Sequence, residues 1–107
     1  QEAPWWALDG GGARFGLMNY TMPMGTLTAW SEGIEVDAPG SRASMKWQEM
    51  RRATLIQPLI PVSSGVRFEV EGRASVIYWT SKAKCLEILD VCERQGTEVQ
   101  RQARLNI

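Results

Sequence analysis

Few residues in this 107-residue chain could carry catalytic chemistry. The chain has no histidine, the side chain that most often serves as general base, triad member or metal ligand. Its carboxylates, among them Glu32, Glu35, Asp37, Glu69 and Glu71, fall at turns or at outward strand positions, where solvated charge is their ordinary role. No two of them are placed for paired acid–base work. The sequence therefore predicts no enzyme, no cofactor and no metal site.

The two cysteines could supply a thiolate, but their positions favour burial. Cys85 and Cys92 fall on the apolar side of a predicted helix, roughly 10 Å apart along its axis, too far for a mutual disulfide. Free cysteines are among the most buried residues, so core thiols are expected. Cys85 lies near Lys82 and the helix start, which leaves a reactive thiolate as the alternative.

Five basic residues are the candidates for contacting an anionic ligand or a partner. They are Lys46, Arg51, Arg52, Arg67 and Arg73. Arg51 and Arg52 begin a predicted strand and could hold a phosphate in forked geometry. The alternative is that these cations are exposed and paired with Glu49 and Glu69.

Apolar contacts to a partner are the other candidate interactions. Trp5 and Trp6 are costly to leave in water, so they either dock on the domain or meet a partner. The five methionines, Met18, Met22, Met24, Met45 and Met50, could line an adaptable groove, but filling the core is the favoured interpretation. The run Gly10 to Gly16 resembles a phosphate-binding loop in composition only, since no strand precedes it and no helix follows.

The elements that would position these residues are mostly strands. Apolar and polar residues alternate along several segments, which is the spacing of a half-buried strand. Leu27 and Ala29 are separated from Ile34 and Val36 by the turn signal at residues 31–33. Further strands are predicted over 14–20 and at Met45 and Trp47. Another is predicted over the apolar run 53–60, which Pro58 and Pro61 end. The last two, over 66–70 and 74–79, form a hairpin with its turn at Gly72.

At Ser81 the period changes to that of a helix. Apolar residues recur at three-to-four spacing from Ala83 to Cys92, with charged residues on the other face. Thr80 or Ser81 can cap the N-terminus, and Gly96 stands where a left-handed residue is expected after the helix. The prediction is a mainly β fold in which about seven antiparallel strands form a partly open barrel closed by one C-terminal α-helix. Residues 1–13 are predicted to be a flexible arm, 14–100 the domain and 101–107 a tail.

Composition limits the class of partner and the compartment. Twelve basic and twelve acidic residues cancel, which removes the attraction that a dedicated nucleic-acid binder needs. The apolar runs are shorter than the ~18 residues of a membrane-spanning helix, and the cysteines are unbridged, so a cytoplasmic protein is expected. Because residue 1 is Gln, an upstream anchor holding the domain at the cytoplasmic face of a membrane stays open.

Two stretches resemble a known family. Residues 25–36, reading GTLTAWSEGIEV, are similar to the opening hairpin of bacterial pleckstrin-homology-like (PH-like) domains. Residues 76–81, then Leu86, Ile88, Leu89 and residues 95–99, resemble their final strand, capping helix and helix-terminal glycine. The resemblance implies a partly open barrel of two near-orthogonal antiparallel sheets, with seven strands in all and a helix over one end. The loops that would correspond to the phosphoinositide-binding loop of eukaryotic members, residues 21–24 or 31–33, contain no Lys or Arg.

The leading hypothesis is therefore a noncatalytic module that binds a protein or peptide at a sheet edge or groove. The first alternative is peripheral binding to anionic lipid through Arg51, Arg52 and their neighbours, aided by Trp5 and Trp6. The second alternative is a small-ligand carrier or enzyme with its pocket inside the barrel, although small barrels are normally filled by their own side chains.

Overall fold

One curled sheet and one helix make up the fold of this computed structural model, which describes residues 4–58 and 63–106, with side chains described up to residue 102. The elements in chain order are β1 Trp6–Phe15, β2 Met18–Ala29, β3 Gly33–Ala38, β4 Ser41–Lys46, a 3₁₀ turn Trp47–Glu49, β5 Met50–Pro58, β6 Ser64–Val70, β7 Val76–Thr80, α1 Lys82–Arg94 and β8 Glu98–Asn106. The predicted mainly β barrel with one C-terminal helix is confirmed.

The sheet runs in the order β4-β3-β2-β1-β7-β6-β5-β8. Neighbouring strands are antiparallel except for β8, which is parallel to β5. The predicted turn before Ile34 and the hairpin of β6 and β7 are present, and the strand predicted over 53–60 is observed as β5, which starts earlier, at Met50. Residues 59–62, where the apolar run was predicted to end, lie outside the described residues.

The core lies inside the curl of the sheet, under the helix. Inward-facing side chains alternate along the strands, as in the β6 pattern where Val66, Phe68 and Val70 are buried and the residues between them are half-buried. Tyr78 is fully buried, and its hydroxyl lies 3.2 Å from the carbonyl oxygens of Leu8 and Gly25, to which it donates. This single donor ties β7 to the two strands of the neighbouring hairpin.

Helix α1 closes one end of the curl. The Ser81 hydroxyl accepts a hydrogen bond from the Lys84 amide at 3.3 Å, so the predicted N-cap is confirmed. Gly96 adopts φ +92°, the left-handed conformation expected after the last helical turn. Of its predicted apolar face, the helix buries Cys85, Ile88, Leu89 and Cys92, while Leu86 and Val91 are half-buried and Ala83 is exposed.

The chain is ordered beyond both predicted domain boundaries. Residues 6–13, predicted as part of a flexible arm, belong to β1, and residues 98–106 form β8 where an extension and a tail were predicted. Within β1, glycine is required by packing at position 11, because a Cβ on Gly11 would lie 2.4 Å from the Tyr78 ring. The predicted strand over 14–20 is wrong, since the turn between β1 and β2 falls at residues 16–17.

Candidate interaction site

Arg51 and Arg52 lie at the start of β5 and are both engaged. A β-bulge at this point shifts the register between Met50 and Arg52, and both arginines are exposed. Arg51 pairs with Glu71 at 2.9 Å, and Arg52 pairs with Glu98 at 3.0 Å. Each guanidinium already contacts a carboxylate of the same chain, which opposes the assignment of both arginines to an external phosphate.

Arg73 also has a structural partner. Its guanidinium donates to the Ser44 carbonyl at 2.6 Å and lies 3.7 Å from the Glu49 carboxylate. The Glu71 amide donates to the Glu49 carbonyl nearby, at 3.2 Å. These contacts join the turn after β6 to the corner between β4 and β5.

Lys46 is the exposed member of the set that forms no ion pair with any described residue. It borders a surface depression of about 470 Å³ that also touches Trp30, Glu32 and Glu35. Because carboxylates outnumber the single ammonium group there, the depression does not favour an anion.

Arg67 differs from the other arginines. It lies in the middle of β6 on the face turned away from the core, and it forms no ion pair with any residue in the described part of the chain. Its Nε atom is buried without a hydrogen-bond partner. The five predicted basic residues therefore do not converge on one site.

The tryptophans of the N-terminal segment lie beside the helix. The Trp5 amide donates to the Ala29 carbonyl at 2.8 Å, Trp6 packs partly against the core, and Trp5 leaves about half of its surface, 52%, exposed. Together with α1 they line a groove of about 340 Å³ whose helix side carries Glu87, Asp90 and Arg94. Trp6 thus contributes to the structure, while Trp5 is available at the surface.

The five methionines divide into two groups. Met45 and Met50 are buried in the core, as predicted, whereas Met18, Met22 and Met24 lie on β2 with 57%, 44% and 53% of their surface exposed. For these three the favoured core interpretation is wrong. The adjacent Leu17, in the turn before β2, is 93% exposed.

We call Leu17, Met18, Met22 and Met24 the hairpin surface. Arg14 is the sole charged residue between positions 10 and 31, so this surface is almost uncharged. Sequence reasoning missed Leu17 because an apolar residue in an alternating segment normally faces a core. The signal that could have found it is Gly16, which adopts φ +61° and therefore places Leu17 in a turn.

Both cysteines are fully buried, as predicted. Burial raises the pKa of Cys85 and of Cys92 to about 12, because the apolar surroundings disfavour the thiolate. A backbone hydrogen bond at Thr80 opposes the rise at Cys85 without reversing it. The alternative of a reactive Cys85 thiolate is therefore not supported.

Within residues 4–58 and 63–106, no group of three or more His, Cys, Asp or Glu side chains is placed to hold a metal ion. In the same part of the chain, no helix combines the length and the apolar character needed to cross a bilayer. In comparisons with known proteins, no protein-family model matches this chain and no curated protein is significantly similar to it.

Proposed function

We propose that this chain is a noncatalytic interaction module of the bacterial PH-like kind, which binds a protein partner through the hairpin surface in the cytoplasm. The observation that carries the proposal is the exposure of Leu17, Met18, Met22 and Met24 on one hairpin. The antiparallel pairing among strands β1 to β7, followed by the capping helix α1, supports the PH-like part.

The chemistry of the hairpin surface suits a protein better than a charged ligand. Methionine side chains are flexible and polarizable, so they adapt to the shape of an apolar partner. Isolated exposed apolar residues are common. Here four lie within eight consecutive positions, with one charge in the surrounding segment, and their exposure to water is unfavourable. The partner surface is therefore expected to be apolar at its centre with a polar rim.

The lipid alternative is less well supported by the contacts. Arg51 and Arg52, to which it was assigned, already hold Glu71 and Glu98. Binding of these arginines to a lipid phosphate would break both ion pairs and replace them with contacts of similar strength. The hairpin surface makes no such competing interaction and is the better candidate.

The test is site-specific photocrosslinking in cells, with a photoreactive residue in place of Leu17 and, as control, in place of the exposed Lys84 on α1. A partner that crosslinks only from position 17 is then purified. Its affinity for wild-type protein should exceed that for the double variant Leu17→Ser, Met22→Ser by about tenfold or more, since two exposed apolar anchors are lost. Arg51→Glu, Arg52→Glu is the control and should bind like wild type.

Loss of partner binding in the arginine variant with retention in the hairpin variant would contradict the proposal. Sedimentation with anionic and neutral vesicles at low and physiological salt addresses the alternative. Salt-sensitive binding to anionic vesicles that is lost on Arg51→Glu, Arg52→Glu would favour the lipid function instead.

A further inference from the structure

The face of β5, β6 and β7 that points away from the core carries a second, small apolar layer. Ile56 and Ile77 are 0% and 6% exposed, yet neither belongs to the main core, which takes the alternate residues of these strands. Thr54 on β5 is buried on the same side, opposite Arg67 in the register. Part of this outer face is therefore shielded from water.

The Trp79 indole packs against part of this face. It is the register partner of Gly65 on β6, and Gly65 in turn is opposite Ile56 on β5. A Cβ on Gly65 would lie 2.7 Å and 2.9 Å from Cε3 and Cζ3 of the indole, and 3.2 Å from Cγ1 of Ile56. The missing side chain of Gly65 thus lets the indole ring rest across β6, while Trp79 stays partly exposed.

Arg67 lies two residues from Gly65 on the same strand and on the same face. Its direct neighbours across the ladder are Thr54 and Ile77, neither of which carries a charge. A guanidinium group next to apolar surface, without a carboxylate partner, attracts an oxyanion more strongly than one in water. Because Nε is buried, an anion would engage the terminal NH₂ groups.

The other charged residues on this outer face leave it with a small positive net charge. Arg14 on β1 is opposite Ile77, and Arg52 on β5 is opposite Glu69. Glu69 forms no ion pair in the described part of the chain, while Arg52 is paired with Glu98. Among the side chains that the structure describes, Arg14, Arg52 and Arg67 thus outnumber Glu69 and Glu98 on this side of the sheet.

We propose that Trp79 and Arg67 form a binding site for a nucleoside phosphate, with the base stacked on the indole and the phosphate held by the guanidinium. Trp79 is the diagonal cross-strand neighbour of Arg67, at a spacing of about 7–8 Å between Cα atoms, which is within the reach of one nucleotide. Stacking on an aromatic ring tolerates any base, so the site selects a flat ring joined to an oxyanion rather than one nucleobase. Thr54, opposite Arg67 on β5, carries a further hydroxyl group on this face.

The experiment is titration of the full ¹⁵N-labelled chain with adenosine monophosphate, adenosine and inorganic phosphate, each into the millimolar range, followed by NMR. Adenosine monophosphate should shift the Trp79 indole and Arg67 side-chain signals together and saturably. Adenosine alone and phosphate alone should each bind about tenfold more weakly, because each makes one of the two contacts.

Arg67→Gln should lower the affinity for adenosine monophosphate by about tenfold, to that of adenosine, without changing adenosine binding. Arg67→Lys keeps the charge but loses the fork, so an intermediate loss is expected. Arg51→Gln is the matched control and should bind like wild type, and the unshifted remainder of each spectrum shows that the variants are folded.

The proposal is overturned if adenosine monophosphate gives no saturable shift of Trp79 and Arg67. It is equally overturned if Arg67→Gln binds the nucleotide as wild type does, or if inorganic phosphate binds as tightly as the nucleotide. None of these results depends on the hairpin surface, so this site and the proposed protein-binding function stand or fall separately.

Discussion

Arginine side chains tie together elements that are distant in sequence. Arg52 on β5 reaches Glu98 on β8, and Arg101 on β8 reaches Asp90 and Glu93 on α1. Exposed ion pairs of this kind contribute little to stability, because water and salt screen them. Their greater effect is on availability, because an arginine that holds a carboxylate of its own chain is a weaker candidate for an external ligand.

Glycines decide the close approach of β1 and β7 at the residue scale. A Cβ on Gly11 would lie 2.4 Å and 2.5 Å from the Tyr78 ring and hydroxyl, and 2.6 Å from the Trp79 carbonyl. We expect Gly11→Ala to lower the free energy of unfolding by about 1–3 kcal/mol, the usual cost of overpacking. The measurement is urea unfolding.

Gly25, which is opposite Gly11 in the register, provides the control. A Cβ there would approach backbone atoms no closer than 3.0 Å, so Gly25→Ala should cost less than Gly11→Ala. An equal or larger loss for Gly25→Ala would show that contact with Tyr78 is not the determining factor.

Three buried acids make the stability of the fold sensitive to alkali. Burial raises the pKa of Tyr78 from 10.0 to about 12, and that of Cys85 and of Cys92 from 9.0 to about 12. Between these values the unfolded chain releases protons that the folded chain keeps, so stability is fully present below pH 9 and falls as the pH rises toward 12. Each such proton contributes about 1.4 kcal/mol per pH unit.

Urea unfolding from neutral to alkaline pH should therefore show a decline that begins near pH 9. Cys92→Ala removes one of the three groups and should give a shallower slope, even though it starts from a lower stability. A slope unchanged by this substitution would mean that Cys92 does not titrate differently in the folded and unfolded chain.

At the scale of elements, local signals predicted the hairpin of β6 and β7 and helix α1. The alternation around Phe68, the turn at Gly72 and the caps at Ser81 and Gly96 each act within a few residues of the chain. The candidate site was less predictable. Whether Arg51 and Arg67 are free depends on Glu71 and on the neighbouring strands, and sequence spacing does not specify these contacts.

Strands β1 and β8 could not be predicted for a related reason. Within β1, Gly11 and Gly12 are favoured by tertiary packing, because Tyr78 and Trp79 lie where their side chains would be. The residues of β8 between Glu98 and Gln102 show one apolar side chain, Val99, which packs against the core. Both strands are fixed by tertiary contacts that override local preference.

Strand β8 is expected to be essential to the fold rather than an optional extension. It supplies the second neighbour of β5 and contributes Val99 to the core. Deleting residues 98–107 should lower the free energy of unfolding by about 2 kcal/mol or more, comparable to a large core truncation. Arg101→Gln, which removes only the exposed ion pairs to α1, should lower the free energy of unfolding far less than the deletion does.

Urea unfolding of the two variants provides the measurement. If the deletion costs no more than Arg101→Gln, the parallel pairing with β5 adds little to stability. In that case the ion pairs alone would account for the contribution of the segment.

At the scale of the whole molecule, β4 and β8 are the two edge strands of the curled sheet. Side chains bond to backbone groups at the β4 edge. Strand β4 pairs with β3 on one side, and its other side is the edge of the sheet. The Ser44 carbonyl, which accepts a hydrogen bond from Arg73, points to that edge. The Lys46 amide on the same strand is likewise bonded, by the Glu49 carboxylate at 3.1 Å. Side chains thus block positions at which another strand could pair.

Arg73→Ala should uncover part of this edge. We expect a small loss of stability, below about 1 kcal/mol, together with increased self-association that grows with protein concentration. Light scattering at several concentrations measures this effect, and Arg51→Ala, which removes an ion pair away from the Ser44 carbonyl, is the control. Equal scattering from both variants would contradict a protective role for Arg73.

The parallel pairing of β8 with β5 separates the order of synthesis from the order of assembly. Strand β5 is made before β6, β7 and α1, yet its partner on the other side is made after all three. On the ribosome, β5 therefore has one bare edge until residues 98–106 emerge. During that interval the nascent chain presents a pairing surface that the finished molecule no longer has, and this is the stage at which a chaperone would have most to protect.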